Sequence, residues 1–352
     1  FRLRVRTAGL SAMTLLDRLL DTSNLSPNRR KAITNVYWAV LGKVANILSA
    51  LLIGVLVARY LGPDNFGLMN YVISYVTLFS VLATFGLDGI EIRELSRTNA
   101  LPNTILGTAF ALRLILAQGA ILLILVMLWL FEVDAFTFCM VMLYSGSLVF
   151  GSVNVIRNHF TALVLNEYVV KTEISRVVIG SAIKAVLLIA HCSLAWFIAA
   201  SAFDAALIAA GYLRAYRRQA GLLRHWTFDP RVARMLIRES FPLLLSSAAV
   251  ILYQNLDAVL IRHLLDNTSV GHFFAATKVA DIVLFVPLVI SQTVTPFLVR
   301  AHEEDPARYA AQAQSFLALM VWSSVLMALA MSALAEPASR LLFGARYAPA
   351  IP

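Results

Sequence analysis

The chain carries ionisable side chains within long apolar stretches, where a charge is costly and therefore marks a candidate functional site. Six cations lie inside such stretches or at their ends: Lys43, Arg59, Arg113, Lys184, Arg262 and Lys278. Only three carboxylates occur in comparable positions: Asp204, Asp257 and Asp281. Phosphate oxygens accept charge-assisted hydrogen bonds from Lys and Arg. The excess of cations therefore indicates a cavity that suits an anionic ligand.

The depth of each cation decides how strongly it indicates such a cavity. Long basic side chains near helix ends can extend to lipid headgroups. For Arg59 and Arg262, at the ends of their stretches, and for Arg113, near the start of its stretch, both interpretations remain open. Lys43, Lys184 and Lys278 lie deeper, so we predict that they line a cavity. Two carboxylates, Asp257 and Asp281, are candidates either for ion pairs with these cations or for proton or sodium binding.

Polar side chains recur at helical spacing in four of the apolar stretches. The faces include Asn46 in the first stretch, Asn70 in the second, and Gln254 with Asp257 in the seventh; Lys278 and Asp281 share a face in the eighth. Such residues also hydrogen-bond one membrane helix to another. Four polar faces in two matched helix pairs favour a shared cavity over four unrelated interfaces.

The two helix pairs are matched because the chain contains a repeat. LIGVLVARYLGPDNFG and LDAVLIRHLLDNTSVG lie about 200 residues apart, and each carries an Arg, a short polar turn and a Gly, here Gly67 and Gly271. Repeated membrane helices with ionisable residues are typical of transporters.

The elements that must position these residues are membrane helices. Apolar residues make up 60% of the 352 residues and charged residues 14%, and the mean hydropathy is +0.77. These values are typical of polytopic membrane proteins. Nine stretches are long enough to span a bilayer: 33–58, 66–87, 107–131, 135–156, 174–191, 193–213, 241–264, 270–299 and 313–335.

Basic residues are concentrated in alternate links between these stretches. The intervening links GPDNF, FEVDA, HCS and LDNTS contain no Lys or Arg. This alternation predicts a cytoplasmic N-terminus. It also accounts for the net charge of +9 without a nucleic-acid partner.

Motifs for catalysis, metal binding or nucleotide binding are absent from the sequence. There is no Gly-rich phosphate loop, HExxH or CxxC, the six histidines are scattered, and Cys139 and Cys192 suggest neither a disulfide nor a metal site. The expectation is a protein that is not an enzyme and has no metal or organic cofactor, with proton or sodium coupling as an open question.

Three segments resemble Wzx-type polysaccharide flippases of the multidrug/oligosaccharidyl-lipid/polysaccharide exporter superfamily. They are NVYWAVLGKVANILSALLIGVLVARYLGPDNFGLMNYVISYVTLFSVLATFGLDG, NLDAVLIRHLLDNTSVGHFFAATKVADIVLFVPLVISQTVTPFL and LFGARYAPAIP, within about residues 30–352. The resemblance implies an all-α, MATE-like bundle of two six-helix lobes around a central cavity, with alternating inward and outward opening.

On this resemblance, residues 31–220 form the N-terminal lobe, 221–240 a basic cytoplasmic linker and 241–352 part of the C-terminal lobe. About nine to ten of about twelve helices are then present. Residues 1–30 would be a cytoplasmic tail with an interfacial helix, and both ends look incomplete, with Met13 a more plausible start than Phe1.

The resemblance also implies a substrate and a place in the cell. The substrate would be a polyprenyl-pyrophosphate carrying an oligosaccharide, moved between leaflets of a bacterial or archaeal cytoplasmic membrane, among membrane lipids and other polysaccharide-assembly proteins. Three alternatives remain: an exporter of drugs or metabolites, a membrane-embedded glycan-processing enzyme and a structural membrane protein.

Overall fold

A computed structural model describes residues 27–97, 101–219, 221–304 and 306–350, and all regular structure among them is helical. The side chains of most residues in 27–50 and 281–308 lie outside this description. The α-helices are α1 (Pro27–Thr84), α2 (Leu87–Leu95), α3 (Pro102–Leu130), α4 (Ala135–Gly151), α5 (Asn154–Ala162), α6 (Asn166–Ile189), α7 (Leu194–Gln219), α8 (Pro230–Leu264), α9 (Asn267–Glu304) and α10 (Pro306–Phe343). Short 3-10 helices span Leu223–His225 and Ala345–Ala350.

The predicted all-α polytopic fold is confirmed. The first two predicted spans are the two arms of α1, 27–61 and 63–84, which are separated at Gly62 because its positive φ of 73° breaks the helix. Six segments among the described residues are long and apolar enough to cross a membrane: Leu51–Thr84, Pro102–Leu130, Ala135–Ala162, Leu194–Gln219, Pro230–Leu264 and Tyr309–Pro337. The predicted interfacial helix before residue 27 lies outside the described residues.

Several helices extend beyond the predicted spans into polar sequence. Helix α8 begins at Pro230, so half of the segment predicted as a linker is helical. The Asp229 carboxylate accepts a hydrogen bond from the Arg231 N–H at 2.7 Å, and Pro230 occupies the first helical position, which together fix this start. Helix α6 likewise begins at Asn166, eight residues before the predicted span.

Aspartates also cap two helices at the end of the bundle whose links contain no Lys or Arg, here called the neutral end. Asp134 accepts a hydrogen bond from the Thr137 N–H at 2.9 Å, and Asp266 accepts one from the Ser269 N–H at 2.7 Å. These backbone donors stabilise the ionised carboxylates, so the pKa of each Asp lies below its ordinary value. The caps fix where α4 and α9 enter the bundle.

Two hydrophobic clusters hold the helices together. One joins the second arm of α1 to α3, α4, α7, α8 and α9, with Val72, Ile124 and Ile198 among its fully buried members. The other lies nearer the opposite, basic end and joins α2, α3, α5, α6, α7 and α8. Because one cluster includes residues near the start of α8 and the other a residue near its end, this helix contacts the N-terminal half (α1–α7) toward both of its ends.

The two repeated segments cross each other directly. Helix α9 packs on the second arm of α1 near Gly67 and Gly271. The repeat recognised in the sequence therefore forms the contact between the N-terminal half and α9 at the neutral end.

Candidate functional site

A cavity of about 450 Å³ lies between the two arms of α1, α6 and α7, and Lys278 of α9 closes one side. Its polar lining residues are Asn46, Ser49, Asn70, Arg176, Ser181, Lys184, Ser201, Asp204 and Lys278. Apolar side chains, including Val57, Phe66 and Phe197, complete the wall. Both halves of the chain therefore contribute to a single polar cavity.

Among the described residues, three cations and one carboxylate line this cavity, so the formal charge of this described lining is positive. The Lys184 ammonium donates to Asp204 Oδ2 at 2.7 Å, with the side chains 21% and 15% exposed. Arg176 Nη2 donates to the Asn46 side-chain oxygen. Lys278 forms no ion pair with any described residue. After the Lys184–Asp204 pair is formed, no described carboxylate pairs with Arg176 or Lys278.

Hydroxyl and amide groups occur beside these charges. Ser49 and Ser181 share a hydrogen bond of 2.7 Å between their hydroxyl oxygens, joining α1 to α6. The Asn70 amide donates to the Phe66 carbonyl at 2.8 Å within α1, which leaves its side-chain oxygen as an acceptor. The cavity therefore offers both positive charge and neutral hydrogen-bonding groups.

Four residues proposed from the sequence as substrate-binding lie in this cavity: Asn46, Asn70, Lys184 and Lys278. The side chains of Lys43 and Asp281 lie outside the described residues, although both positions belong to helices that border the cavity. Gln254 and Asp257 are exposed on α8, and Asp257 forms no ion pair with any described residue. The proposals for these last four residues remain predictions.

Arg113 lies in a buried network apart from this cavity. Its Nε donates to Glu91 at 2.7 Å and its Nη2 donates to Asp88 at 2.7 Å, with Arg113 only 1% exposed. The Asn158 amide donates to both carboxylates. Burial raises the pKa of Asp88, but Arg113 and Asn158 outweigh this and hold it below the ordinary value. This network joins α2, α3 and α5, as expected of a structural ion-pair cluster.

A second, smaller cavity of about 300 Å³ adjoins that network. It is lined by polar residues of α1, α4 and α5 together with Arg113, among them Thr77, Ser80, Thr84, Tyr144, Ser147 and Asn154. Thr77 and Thr84 follow Asn70 by seven and fourteen residues and therefore continue its polar face along the second apolar stretch. Their hydroxyls donate to backbone carbonyls of their own helix at 2.7 and 3.1 Å.

Arg59 and Arg262, which match each other in the repeat, each contact the opposite half. The Arg59 guanidinium donates to the carbonyls of Leu341 and Leu342, where α10 ends. The Arg262 guanidinium carbon lies 5.9 Å from the centre of the Tyr71 ring, a cation–π distance. Both arginines lie at the neutral end, at the junction of the two halves.

Sequence reasoning missed the roles of Arg176 and Asp204. Arg176 lies at the start of the predicted stretch 174–191 and was counted with the basic residues of the preceding link, whereas α6, which begins at Asn166, carries it into the cavity. Asp204 was recognised as an intramembrane carboxylate but not as the partner of Lys184. The signal was available: Lys184 and Asp204 occupy adjacent apolar stretches joined by the short HCS turn, which makes the helices antiparallel neighbours. No cluster of three His, Cys, Asp or Glu that could hold a metal occurs in the described ranges.

The apolar helices and the polar cavity between them define a multi-pass membrane protein of the transporter class. A solved structure of that class, described as an inward-facing conformation of a multidrug resistance MATE family transporter of the MOP superfamily, superposes with a TM-score of 0.59. The two sequences are 16% identical, and the match covers 84% of this chain and 71% of that chain. The likeness shows that this chain has a MATE-like fold.

The sequence identifies the family more narrowly. Residues 32–302, most of the chain, match the family described as polysaccharide biosynthesis protein. The chain belongs to that family, in agreement with the resemblance to Wzx-type flippases found in its motifs. A comparison with curated proteins gave no match.

Proposed function

We propose that this protein is a flippase that moves a polyprenyl-pyrophosphate-linked oligosaccharide from the inner to the outer leaflet of the cytoplasmic membrane. The observation that carries the proposal is the positive charge of a cavity shared by both halves of the chain. A pyrophosphate is the anion of this substrate, and Arg176 and Lys278 would bind its oxygens. Membership in the polysaccharide biosynthesis family supports this choice of substrate class.

The remaining polar lining suits the sugar part of such a substrate. Sugar hydroxyls both donate and accept hydrogen bonds, and Asn46, Asn70 and the Ser49–Ser181 pair offer both kinds of partner. The polyprenyl chain would remain in the bilayer, since every CH₂ withdrawn from lipid into water costs about 0.8 kcal/mol. Only the head group then needs the polar cavity.

Transport requires the cavity to open at one membrane face at a time. By the distribution of positive charge, the N-terminus is cytoplasmic and the neutral end faces outward. Arg59 and Arg262 would serve as paired gate residues at that end, because each holds one half against the other. Asp257 and Asp281 are the candidates for coupling this movement to a proton or sodium gradient.

A second candidate function is export of drugs or other small molecules. The MATE-like fold favours it, since the superposed structure is described as a multidrug resistance transporter. The two candidates differ in what they require: an exporter of cationic drugs has no use for the charges of Arg176 and Lys278, whereas the flippase depends on them.

The proposal can be tested in a host that lacks its own polysaccharide flippase and expresses the complete protein. We expect lipid-linked repeat units to become accessible at the outer surface of the membrane. Lys278→Gln and Lys43→Gln should each lower this exposure about tenfold or more, the effect of losing one charge-assisted hydrogen bond. Lys171→Gln is the matched control, because Lys171 lies on the exposed side of α6 and pairs with Glu167.

Normal exposure in both the Lys43 and Lys278 variants would rule out the cationic cavity as the binding site. The exporter would be favoured if lipid-linked repeat units stay inaccessible in several glycan backgrounds while the correctly inserted protein restores drug efflux.

A further inference from the structure

The contact between the two repeated segments is reciprocal. A Cβ atom at Gly67 would lie 1.7 Å from the Asn267 carbonyl oxygen, and a Cβ at Gly271 would lie 2.0 Å from the Pro63 carbonyl oxygen. Asn267 precedes Gly271 by four residues, and Pro63 precedes Gly67 by four. Each glycine therefore lies against the backbone carbonyl four residues before the other glycine, as in a two-fold symmetric contact.

This crossing lies between the cavity and the turns of the neutral end. Phe66, Met69 and Asn70 line the cavity, while Gly62 and Pro63 form the break in α1. Phe66 is 1% exposed and packs with Tyr347 in a small cluster of residues from α1, α9, the end of α10 and the segment after it. The close backbone approach at Gly67 and Gly271 therefore lies beside lining residues of the cavity, on the side of the neutral end.

On each side of the crossing, a side chain of one half holds the opposite half. Arg59 donates to the carbonyl oxygens at the end of α10, and the Tyr347 hydroxyl donates to the Ala58 carbonyl at 2.8 Å. On the other side, Arg262 lies over Tyr71, and the His263 ring lies 6.3 Å from the Phe131 ring. The contacts on the two sides involve matching arginines of the repeat, but hydrogen bonds form one side and cation–π and ring contacts form the other.

We propose that the crossing of Gly67 and Gly271 is the outer gate of the transporter, and that the absence of a side chain at both positions sets the stability of its closed state. A methyl group on either glycine forces the segments apart by roughly 1.5 Å to reach ordinary contact distance. That separation shifts the equilibrium toward a cavity open at the neutral end. The inference rests on the proposed function for the direction of opening.

Small residues also pack membrane helices permanently, without any gate. The two roles differ in what alanine does. Alanine in a permanent contact destabilises the whole fold, whereas alanine in a gate leaves a folded protein whose cavity is more often open. Since one separation of the segments relieves both overlaps, the effects of Gly67→Ala and Gly271→Ala should also be less than additive.

The test measures how fast a membrane-impermeant thiol reagent, added from outside, reaches Ser49→Cys in the cavity. Cys139 and Cys192 are first replaced by Ser, so that only the introduced thiol reacts. We expect Gly67→Ala and Gly271→Ala each to raise the labelling rate about five- to one-hundredfold, the range for overpacking at a tight contact. Gly146→Ala is the matched control, since a Cβ there meets no atom within 4 Å.

Arg262→Gln tests the same gate without adding volume. It should raise the labelling rate a few-fold, as expected for loss of one cation–π contact, and it remains informative if the alanine variants fail to fold. Labelling at the control rate in folded Gly67→Ala and Gly271→Ala would overturn the proposal, as would unfolded alanine variants together with unchanged labelling in Arg262→Gln. Because no glycan is needed, this assay can fail or succeed independently of the proposed substrate.

Discussion

The Lys184–Asp204 ion pair depends on a glycine that faces it, and this gives a sharp test of the cavity. A Cβ atom at Gly180 would lie 2.2 Å from Asp204 Oδ1 and 3.1 Å from the carboxyl carbon. Gly180→Ala therefore requires the carboxylate to retreat by roughly 1 Å. The ion pair, now 2.7 Å long, would then exceed the length of a hydrogen bond.

The expected cost follows from the burial of the pair. Breaking a fully buried ion pair costs about 3–5 kcal/mol because one charge is left without a partner. Since Lys184 and Asp204 are 21% and 15% exposed, water reaches them in part. We therefore expect Gly180→Ala to lower the free energy of unfolding by about 1–3 kcal/mol. Gly54→Ala is the control, because Gly54 lines the same cavity but a Cβ there meets no atom within 4 Å.

Denaturant unfolding of the purified protein in detergent would measure both variants. In an Asp204→Ala background, Gly180→Ala should cost little more, because the carboxylate that it displaces is gone. Equal stability of Gly180→Ala and Gly54→Ala would refute the reasoning. So would an equal cost of Gly180→Ala with and without the Asp204 carboxylate.

Three further predictions concern contacts outside the cavity, and unfolding in detergent measures each. Arg113→Gln should cost about 3–5 kcal/mol and Asp88→Asn clearly less, because Arg113 is 1% exposed and Asp88 49%; equal costs would contradict a buried network centred on the arginine. Tyr347→Phe should cost about 1 kcal/mol through loss of the hydrogen bond to the Ala58 carbonyl, and an unchanged stability would show that this contact contributes nothing. Asp134→Ala should cost about 1 kcal/mol by removing the cap of α4, whereas Asp134→Ser, which preserves a capping oxygen, should cost much less; equal losses would argue against the cap.

Helical periodicity accounts for what the sequence predicted well. Asn46, Asn70, Lys184 and Lys278 were selected because each lies deep in an apolar stretch or on a polar face, and a polar group so placed has no low-energy position except toward other protein. The structure brings all four to one cavity. The matched glycines were recognised from the repeat of the two segments, and in the structure the two segments meet at these glycines.

Partners across helices were harder to predict. Arg113 pairs with Glu91 and Asp88 because of the relative rotation of α2, α3 and α5 in the bundle. The pattern of a single helix contains no information on that rotation. Arg176 was missed because it lies only two residues inside the predicted stretch 174–191, beside the basic link, whereas the helix itself begins at Asn166. A hydropathy window cannot distinguish the polar first turns of a helix from a loop.

The central claim is that the positively charged cavity carries the pyrophosphate head group of a lipid-linked glycan across the membrane. The most direct measurement reconstitutes the complete protein in liposomes with a polyprenyl-pyrophosphate-linked sugar and follows its removal from the inner leaflet with an impermeant sugar-modifying enzyme. We predict that the native protein transfers the lipid, that Lys278→Gln lowers the rate of transfer about tenfold or more, and that Lys171→Gln leaves this rate unchanged. Transfer that is undiminished in Lys278→Gln, or no faster with the native protein than in protein-free liposomes, would contradict the account.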